Sequence, residues 1–249
     1  MHASWMEMRT ALARGRAVCV ACGAGARDPG LLERATAMLN KAEAARLGGI
    51  RSRDKREEFL LSRLMVKTVA GALFEVDRRG VSLVATRGAP PSLAGTGTPE
   101  IHASLSHCPG AFALALTREH PPGVDIEPEG RVRLSIARRF FPPREYMRLA
   151  AHKDPVTDAT AHWTLKEAYA KAAGIPLMAA MRAVSFCHEG GVYRIEDSGT
   201  SKGGDWSFES VRVLGGFRLS IAISGGGGAN ILEFEEPALL LGSRHGCIN

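Results

Sequence analysis

Asp125 and Glu127 stand one residue apart in Gly123-Val-Asp-Ile-Glu-Pro128, a stretch that reads as a short strand. Alternate strand side chains share a face. The two carboxylates therefore point one way, and Val124 and Ile126 point the other, into a core. Carboxylates a single pleat apart repel each other unless a cation lies between them. Hard oxygen donors of this kind suit magnesium, which keeps waters and takes substrate phosphates as its remaining ligands. Exposed strand faces carry the same spacing, so the pair alone leaves a metal site and a solvated face both open.

A second group lies in Trp163-Thr-Leu-Lys-Glu-Ala-Tyr-Ala-Lys-Ala-Ala-Gly174. Glu167 and Lys171 are four apart and share a helix face, with Trp163 one turn earlier. A plain surface ion pair has the same spacing, but Trp is an uncommon residue for open solvent. A third is Ser104-Leu-Ser-His-Cys-Pro-Gly110, where His107 ends a strand and enters a turn. Alone, such a histidine is more often a turn residue or a hydrogen-bonded core residue than a ligand. Finally, Arg51, Arg53, Lys55 and Arg56 crowd the start of a long helix, against the preference of helix N-termini for acids. A bound anion resolves that conflict; so does a solvated end balanced by Asp54, Glu57 and Glu58.

These residues need elements to hold them. Ala17 to Cys22 reads as a first strand and Pro29 to Ala45 as a helix. After Gly48-Gly49, Arg51 to Val76 has apolar residues at three- and four-residue steps and predicts a long helix. Ala89 to Pro99 is rich in Pro, Gly, Ser and Thr and predicts loop. Ser104–His107 and Ala111–Leu116 form a hairpin around Cys108-Pro109-Gly110, followed by a strand at Val124–Glu127. Helices follow at Ser135–Phe141, Pro143–His152 and Ala159–Ala173, the second with Pro in its first turn. From Ala183 to Phe234 the pattern is strand-like, and glycines 225–228 are expected to end that sheet. Helices and antiparallel strands alternate without a βαβ rhythm, so the class is α+β.

The 249 residues suffice for one large core or two lobes. No apolar run reaches the ~20 residues of a membrane helix, and the N-terminus lacks a signal-peptide core; a cytoplasmic protein with no membrane association is expected. Cys19, Cys22, Cys108, Cys187 and Cys247 are odd in number and scattered, so no disulfide framework is predicted. Cys19-Val-Ala-Cys22 has zinc or redox spacing, but no second pair follows, and AVCVACG alternates as a buried strand does. A net charge of +6 and a pI of 9.3 predict attraction to anions: nucleic acid, phosphorylated cofactors or acidic proteins.

Taken in order, LSHCPGAFALAL, GVDIEP, FFPPREY and WTLKEAYAKAAG resemble the Sfp-type 4'-phosphopantetheinyl transferases. RDKREEFLLSRLMVK is similar to the basic helix upstream of those motifs, and Gly88-Ala-Pro90 sits where the family has Gly-Lys-Pro. The resemblance runs from Arg51 to Leu177. It implies two pseudo-symmetric lobes, each a small antiparallel sheet with a long helix, divided here as 1–122 and 123–249, with the active site in the cleft between them. It implies transfer of phosphopantetheine from coenzyme A to a serine of an acyl or peptidyl carrier protein, with magnesium as cofactor and 3',5'-ADP released. By position, Asp125, Glu127 and Glu167 would hold the metal. Lys171 would reach a phosphate near the scissile bond, and His107, Arg53 and Arg56 would contact the phosphates of coenzyme A. Glu167 is the candidate base for the serine hydroxyl, and a monomer is expected, two lobes in one chain completing a site.

Three positions depart from the family pattern. Cys108 replaces a Ser, Ala89 replaces the Lys of Gly-Lys-Pro, and Gly174-Ile-Pro-Leu replaces Gly-x-Gly-Leu. A magnesium-dependent nuclease or phosphodiesterase would use the same carboxylates. It would be expected to show a longer basic tract or interleaved aromatics, and the chain has three Tyr, three Trp and no such run. A non-enzymatic nucleic-acid binder explains the pI but leaves the three carboxylates unaccounted for, so no nucleic-acid partner is expected.

Overall fold

A computed structural model describes residues 4–24, 28–85, 89–97, 100–198 and 205–236. Helix α1 (Trp5–Ala13) opens on a capping box, Ser4 accepting from the Glu7 amide while the Glu7 carboxylate accepts from Ser4. Strand β1 (Ala17–Gly23) follows, then α2 (Pro29–Ala37), α3 (Lys41–Gly48) and α4 (Arg53–Phe74). The single helix expected over Pro29 to Ala45 is thus two. Asn40 accepts from the Glu43 amide, and the Glu43 carboxylate accepts from the Asn40 amide, so a second capping box starts a new helix there. Short β2 (Ser82–Val84) and β3 (Ser92–Ala94) precede the hairpin β4 (Ile101–Cys108) and β5 (Ala111–Thr117). The loop expected over 89–99 therefore contains a strand: Ser92–Ala94 pairs with both β2 and β4.

The second half begins with β6 (Gly123–Pro128), then α5 (Leu134–Phe140), α6 (Pro143–Ala150) and α7 (Pro155–Ala173). Helix α7 starts four residues before its expected start, because Asp154 caps it and Pro155 occupies its first position. Helix α8 (Leu177–Ala183) follows, then β7 (Val184–Glu189), β8 (Val192–Ser198), β9 (Trp206–Val213), β10 (Phe217–Ser224) and β11 (Ala229–Phe234).

The strands form three sheets, ordered β11-β1-β5-β4-β3-β2, β6-β10-β9 and β7-β8. Glycines 225–228 do not end the strand region. The chain turns through them and β11 returns to pair parallel with β1, where the ring of Phe234 stacks on Trp5 at 5.7 Å. The six-stranded sheet therefore takes a strand from each side of residue 122, and its β1–β11 pair is parallel where only antiparallel pairing was expected.

Side-chain alternation sorts the core into layers. Val18, Val20, Leu114 and Leu116 pack with Met8, Leu12, Val66 and Val69 of α1 and α4. Cys19, Ala21, Ala113 and Ala115 face the other way and meet Val124, Ile126, Leu219 and Ile221 of the β6-β10-β9 sheet. The far face of that sheet carries Phe208 and Ala222 against Leu165, Ala168 and Tyr169 of α7. The order is helix, sheet, sheet, helix, within an α+β class as expected.

The two long helices repeat one construction. On α4, Arg63 and Lys67 flank Glu43 of α3, and Lys67 Nζ donates to the Val81 carbonyl. On α7, His162 and Lys166 flank Glu145 of α6, and Lys166 Nζ donates to the Val184 carbonyl. Each pair is spaced i, i+4 on a buried face.

Candidate active site

Strand β6 sets the first two carboxylates. Val124 and Ile126 are buried between the sheets, so Asp125 and Glu127 must face α7. The strand can lie close under that helix because residue 123 is glycine: a Cβ there would sit 1.8 Å from the Ala168 carbonyl oxygen. Across the gap, α7 presents Glu167, with Trp163 Nε1 donating to Glu167 Oε1 at 2.9 Å. Rings of Phe140 and Phe141 hold the Trp163 indole. One turn on, Lys171 Nζ donates to Asp125 Oδ1 at 2.9 Å and to the Val124 carbonyl at 2.8 Å. The spacing-based alternative, a Glu167–Lys171 surface pair, is not what forms; Lys171 bridges helix to strand.

Ser106 was not singled out in the sequence, yet its Oγ donates to Asp125 Oδ1 at 2.7 Å, and neighbouring Ser104 Oγ accepts from the Val124 amide. The alternation Ser104, Ser106, Cys108 on β4 was the available signal. It also places His107 on the opposite side of the strand, where it is exposed with its ring 5.8 Å from Phe112. Cys108 is buried, and burial together with Glu127 and Asp125 pushes its thiol up to about 12, so it stays protonated. Cys19 and Cys22 face opposite sides of β1; burial raises both thiols, and the strand undoes the spacing that suggested a shared site. Gly88 and Cys247 lie outside the described residues.

At the basic start of α4 the side chains find partners within the fold. Ser52 caps the helix, and Arg53, largely exposed, donates to Glu57 at 2.9 Å. Arg56 Nη1 donates to the carbonyls of Leu47 and Ile50 at the end of α3. A cation at a helix C-terminus satisfies orphan carbonyls and suits the dipole, so Arg56 has a structural role at the end of α3. Neither arginine meets the carboxylates or Lys171.

Electrostatics mark the carboxylate group as short of positive charge. Glu127 is pushed up to about 7, by burial first; Arg131, 3.1 Å away, opposes this, while Asp125 and Glu167 add to it. Glu167 is raised too, by burial and then by the Asp125 charge, against Lys171 and the Trp163 hydrogen bond. Asp125 Oδ2 and Glu127 Oε2 are buried with no hydrogen-bond partner. Among the described residues, no three His, Cys, Asp or Glu side chains are already drawn together as a cation cage; Lys171 and Arg131 are the cations that now stand against these acids. Buried carboxylate oxygens without hydrogen-bond partners are nevertheless the donor chemistry that magnesium takes.

Lys171 also lines a cavity of about 840 Å3, walled by Ala89, Pro90 and Pro91 from the first half and by Gly174, Asp205 and Trp206 from the second. A smaller cavity of about 390 Å3 lies between α2, α4 and the β4–β5 turn, with Asp28, Asp54, Glu57 and Glu58 on its walls. Among the described residues, no helix is long and apolar enough to cross a membrane.

Residues 121–222, from β6 to β10, match the model of the 4'-phosphopantetheinyl transferase superfamily. The chain is 35% identical over 120 residues to a 4'-phosphopantetheinyl transferase of Bacillus subtilis, covering 46% of this chain and 51% of the relative. It is 30% identical over 140 residues to the 4'-phosphopantetheinyl transferase Sfp of Bacillus subtilis strain 168, covering 55% of this chain and 61% of the relative. It is 29% identical over 173 residues to the 4'-phosphopantetheinyl transferase ffp of Bacillus subtilis, covering 64% and 76%. The chain spans about half the length of the first of these relatives.

Proposed function

We propose that this chain, which matches the 4'-phosphopantetheinyl transferase superfamily over residues 121–222 and resembles relatives of that name, transfers the phosphopantetheine arm of coenzyme A to a serine of an acyl or peptidyl carrier protein, releasing 3',5'-ADP. The observation that carries this reading is the convergence of Asp125 and Glu127 from β6 with Glu167 and Lys171 from α7, beside a cavity that Lys171 lines.

Asp125, Glu127 and Glu167 are the residues that would hold magnesium, whose chemistry when bound is to neutralise charge on the diphosphate of coenzyme A. Transfer of this kind depends on positioning and on charge neutralisation more than on covalent help from the protein. Lys171 supplies a cation at the mouth of the cavity, where negative charge grows on the reacting phosphate oxygens. A serine hydroxyl is a weak nucleophile and needs its proton taken. Glu167 suits that task, because burial and the Asp125 charge raise its basicity above that of a free carboxylate. Trp163 keeps one Glu167 oxygen fixed. The surplus of basic residues favours an anionic cofactor and an acidic carrier. On this reading the protein acts in the cytoplasm as a monomer, both walls of the cavity coming from one chain.

The test is to incubate apo-carrier protein with the enzyme, coenzyme A and magnesium and weigh the carrier. A gain of one phosphopantetheine, dependent on magnesium, is expected. A carrier that stays apo under these conditions overturns the reading.

A further inference from the structure

The cluster beneath the site consists of Glu145, His162 and Lys166. Glu145 is completely buried at the start of α6. Its Oε1 takes the His162 Nδ1 contact at 2.6 Å and accepts from the Phe186 amide at 3.3 Å. Lys166 Nζ lies 2.7 Å from Oε2, an ion-pair contact that lacks the alignment of a hydrogen bond, and donates instead to the Val184 carbonyl. The ammonium also sits over the rings of Phe141 and Phe186. A buried ion pair of this sort is weak evidence for stability, since apolar groups of the same size often do as well. What it supplies is direction.

On the side of α7 that faces α6, this cluster is the polar, directional contact. Five of the helix's eleven buried residues are alanine, at 159, 161, 168, 170 and 173; Leu165 and Tyr169 pack toward Phe208, while His162 and Lys166 fix the side that faces α6. Glu167 follows Lys166 directly, and Lys171 is one turn further. A carboxylate ~6 Å off a helix axis moves about 1 Å for a rotation of about 10°, and misplacement on that scale can cost about 100-fold in rate.

We propose that Glu145 is a positioning residue: through Lys166 and His162 it sets the rotation of α7 that brings Glu167 and Lys171 to face Asp125. The claim rests on the transferase reading for its kinetic consequence but not for its structural one. The first half provides the control. Glu43 holds Arg63 and Lys67 in the same way on α4, yet α4 contributes nothing to the carboxylate group.

The experiment follows the Trp163 indole N–H resonance, identified by its loss in Trp163→Phe, in wild type, Glu145→Gln and Glu43→Gln, with turnover measured in parallel. Glu145→Gln should shift the indole signal, because Glu167 Oε1 leaves it, and should lower turnover about tenfold or more while the KM for coenzyme A changes far less. Glu43→Gln should lower the melting temperature and leave both the indole signal and turnover unchanged. If Glu145→Gln does not fold, Glu145→Leu combined with Lys166→Met keeps the volume without the charge, and the same loss is expected. An unmoved indole signal in the folded Glu145 variant, or an equal shift in Glu43→Gln, overturns the proposal. Wild type that shows the Glu145-dependent signal but modifies no carrier would instead overturn the transferase reading and leave the positioning role standing.

Discussion

At the scale of single residues, the site is defined by charges that are not balanced within it. Lys171 is shared between an acid and a backbone carbonyl, and burial, with the Asp125 charge added, raises Glu127 and Glu167. Asp125→Asn should therefore reduce transfer by at least about 100-fold at any magnesium concentration, as read from initial rates across a magnesium titration. Lys171→Ala should lower turnover more than it raises the KM for coenzyme A, because its charge is needed most as the phosphate reacts; a change confined to KM would assign Lys171 to ground-state binding. The pH dependence follows from Glu127. Its folded pKa, about 7, lies above the unfolded value of 4.5. Between these values the folded state holds more protons, so stability falls as pH rises through that window. The loss should be about 1–2 kcal/mol, taking ~1.4 kcal/mol per pKa unit and discounting for partial solvation. Urea unfolding of metal-free protein at pH 5 and pH 8 measures it, and Glu127→Gln should flatten the difference.

At the scale of elements, strand β6 and helix α7 act as one unit, and Gly123 is what lets them. Gly123→Ala puts a methyl group into the backbone of α7, 1.8 Å from the Ala168 oxygen and 2.9 Å from the Ala172 nitrogen. Neither atom can move without shifting the helix, so a loss of about 3 kcal/mol is expected from denaturant titration, together with loss of transfer. Both elements were legible in the sequence. The alternation of Val124 and Ile126 with two acids and the helical spacing of Trp163, Glu167 and Lys171 are short-range signals, and the structure places all of these side chains as that spacing required. Contacts between elements were not legible. That Lys171 crosses to Asp125, that Ser106 reaches it from β4, and that Arg56 turns back to the end of α3 all depend on packing that no local period records. The split of α2 from α3 was within reach, since Asn40 and Glu43 carry the capping-box spacing, but a continuous apolar pattern masked it.

At the scale of the whole molecule, two long helices held by the same Glu-and-two-cation construction enclose two sheets, and the proposed carboxylate site draws on α7 rather than α4. Position 68 on α4, which follows Lys67 as Glu167 follows Lys166, is a buried threonine. Strand β11, from beyond the expected division at residues 122 and 123, crosses back to pair with β1. Alternating apolar residues identified strands after Ala183 but could not say which sheet each would join. Removal of residues from 229 onward should bare the edge of β1, a strand whose side chains are buried throughout, and should drive aggregation visible in size-exclusion chromatography.

The measurement closest to the central claim is the mass of an apo-carrier protein after incubation with coenzyme A, magnesium and either wild-type enzyme or folded Asp125→Asn and Glu167→Gln variants. The account predicts a gain of one phosphopantetheine with wild type, none without magnesium, and little or none with either variant over the same time. A carrier left unmodified by wild type, or modified as fast by the variants, would contradict it.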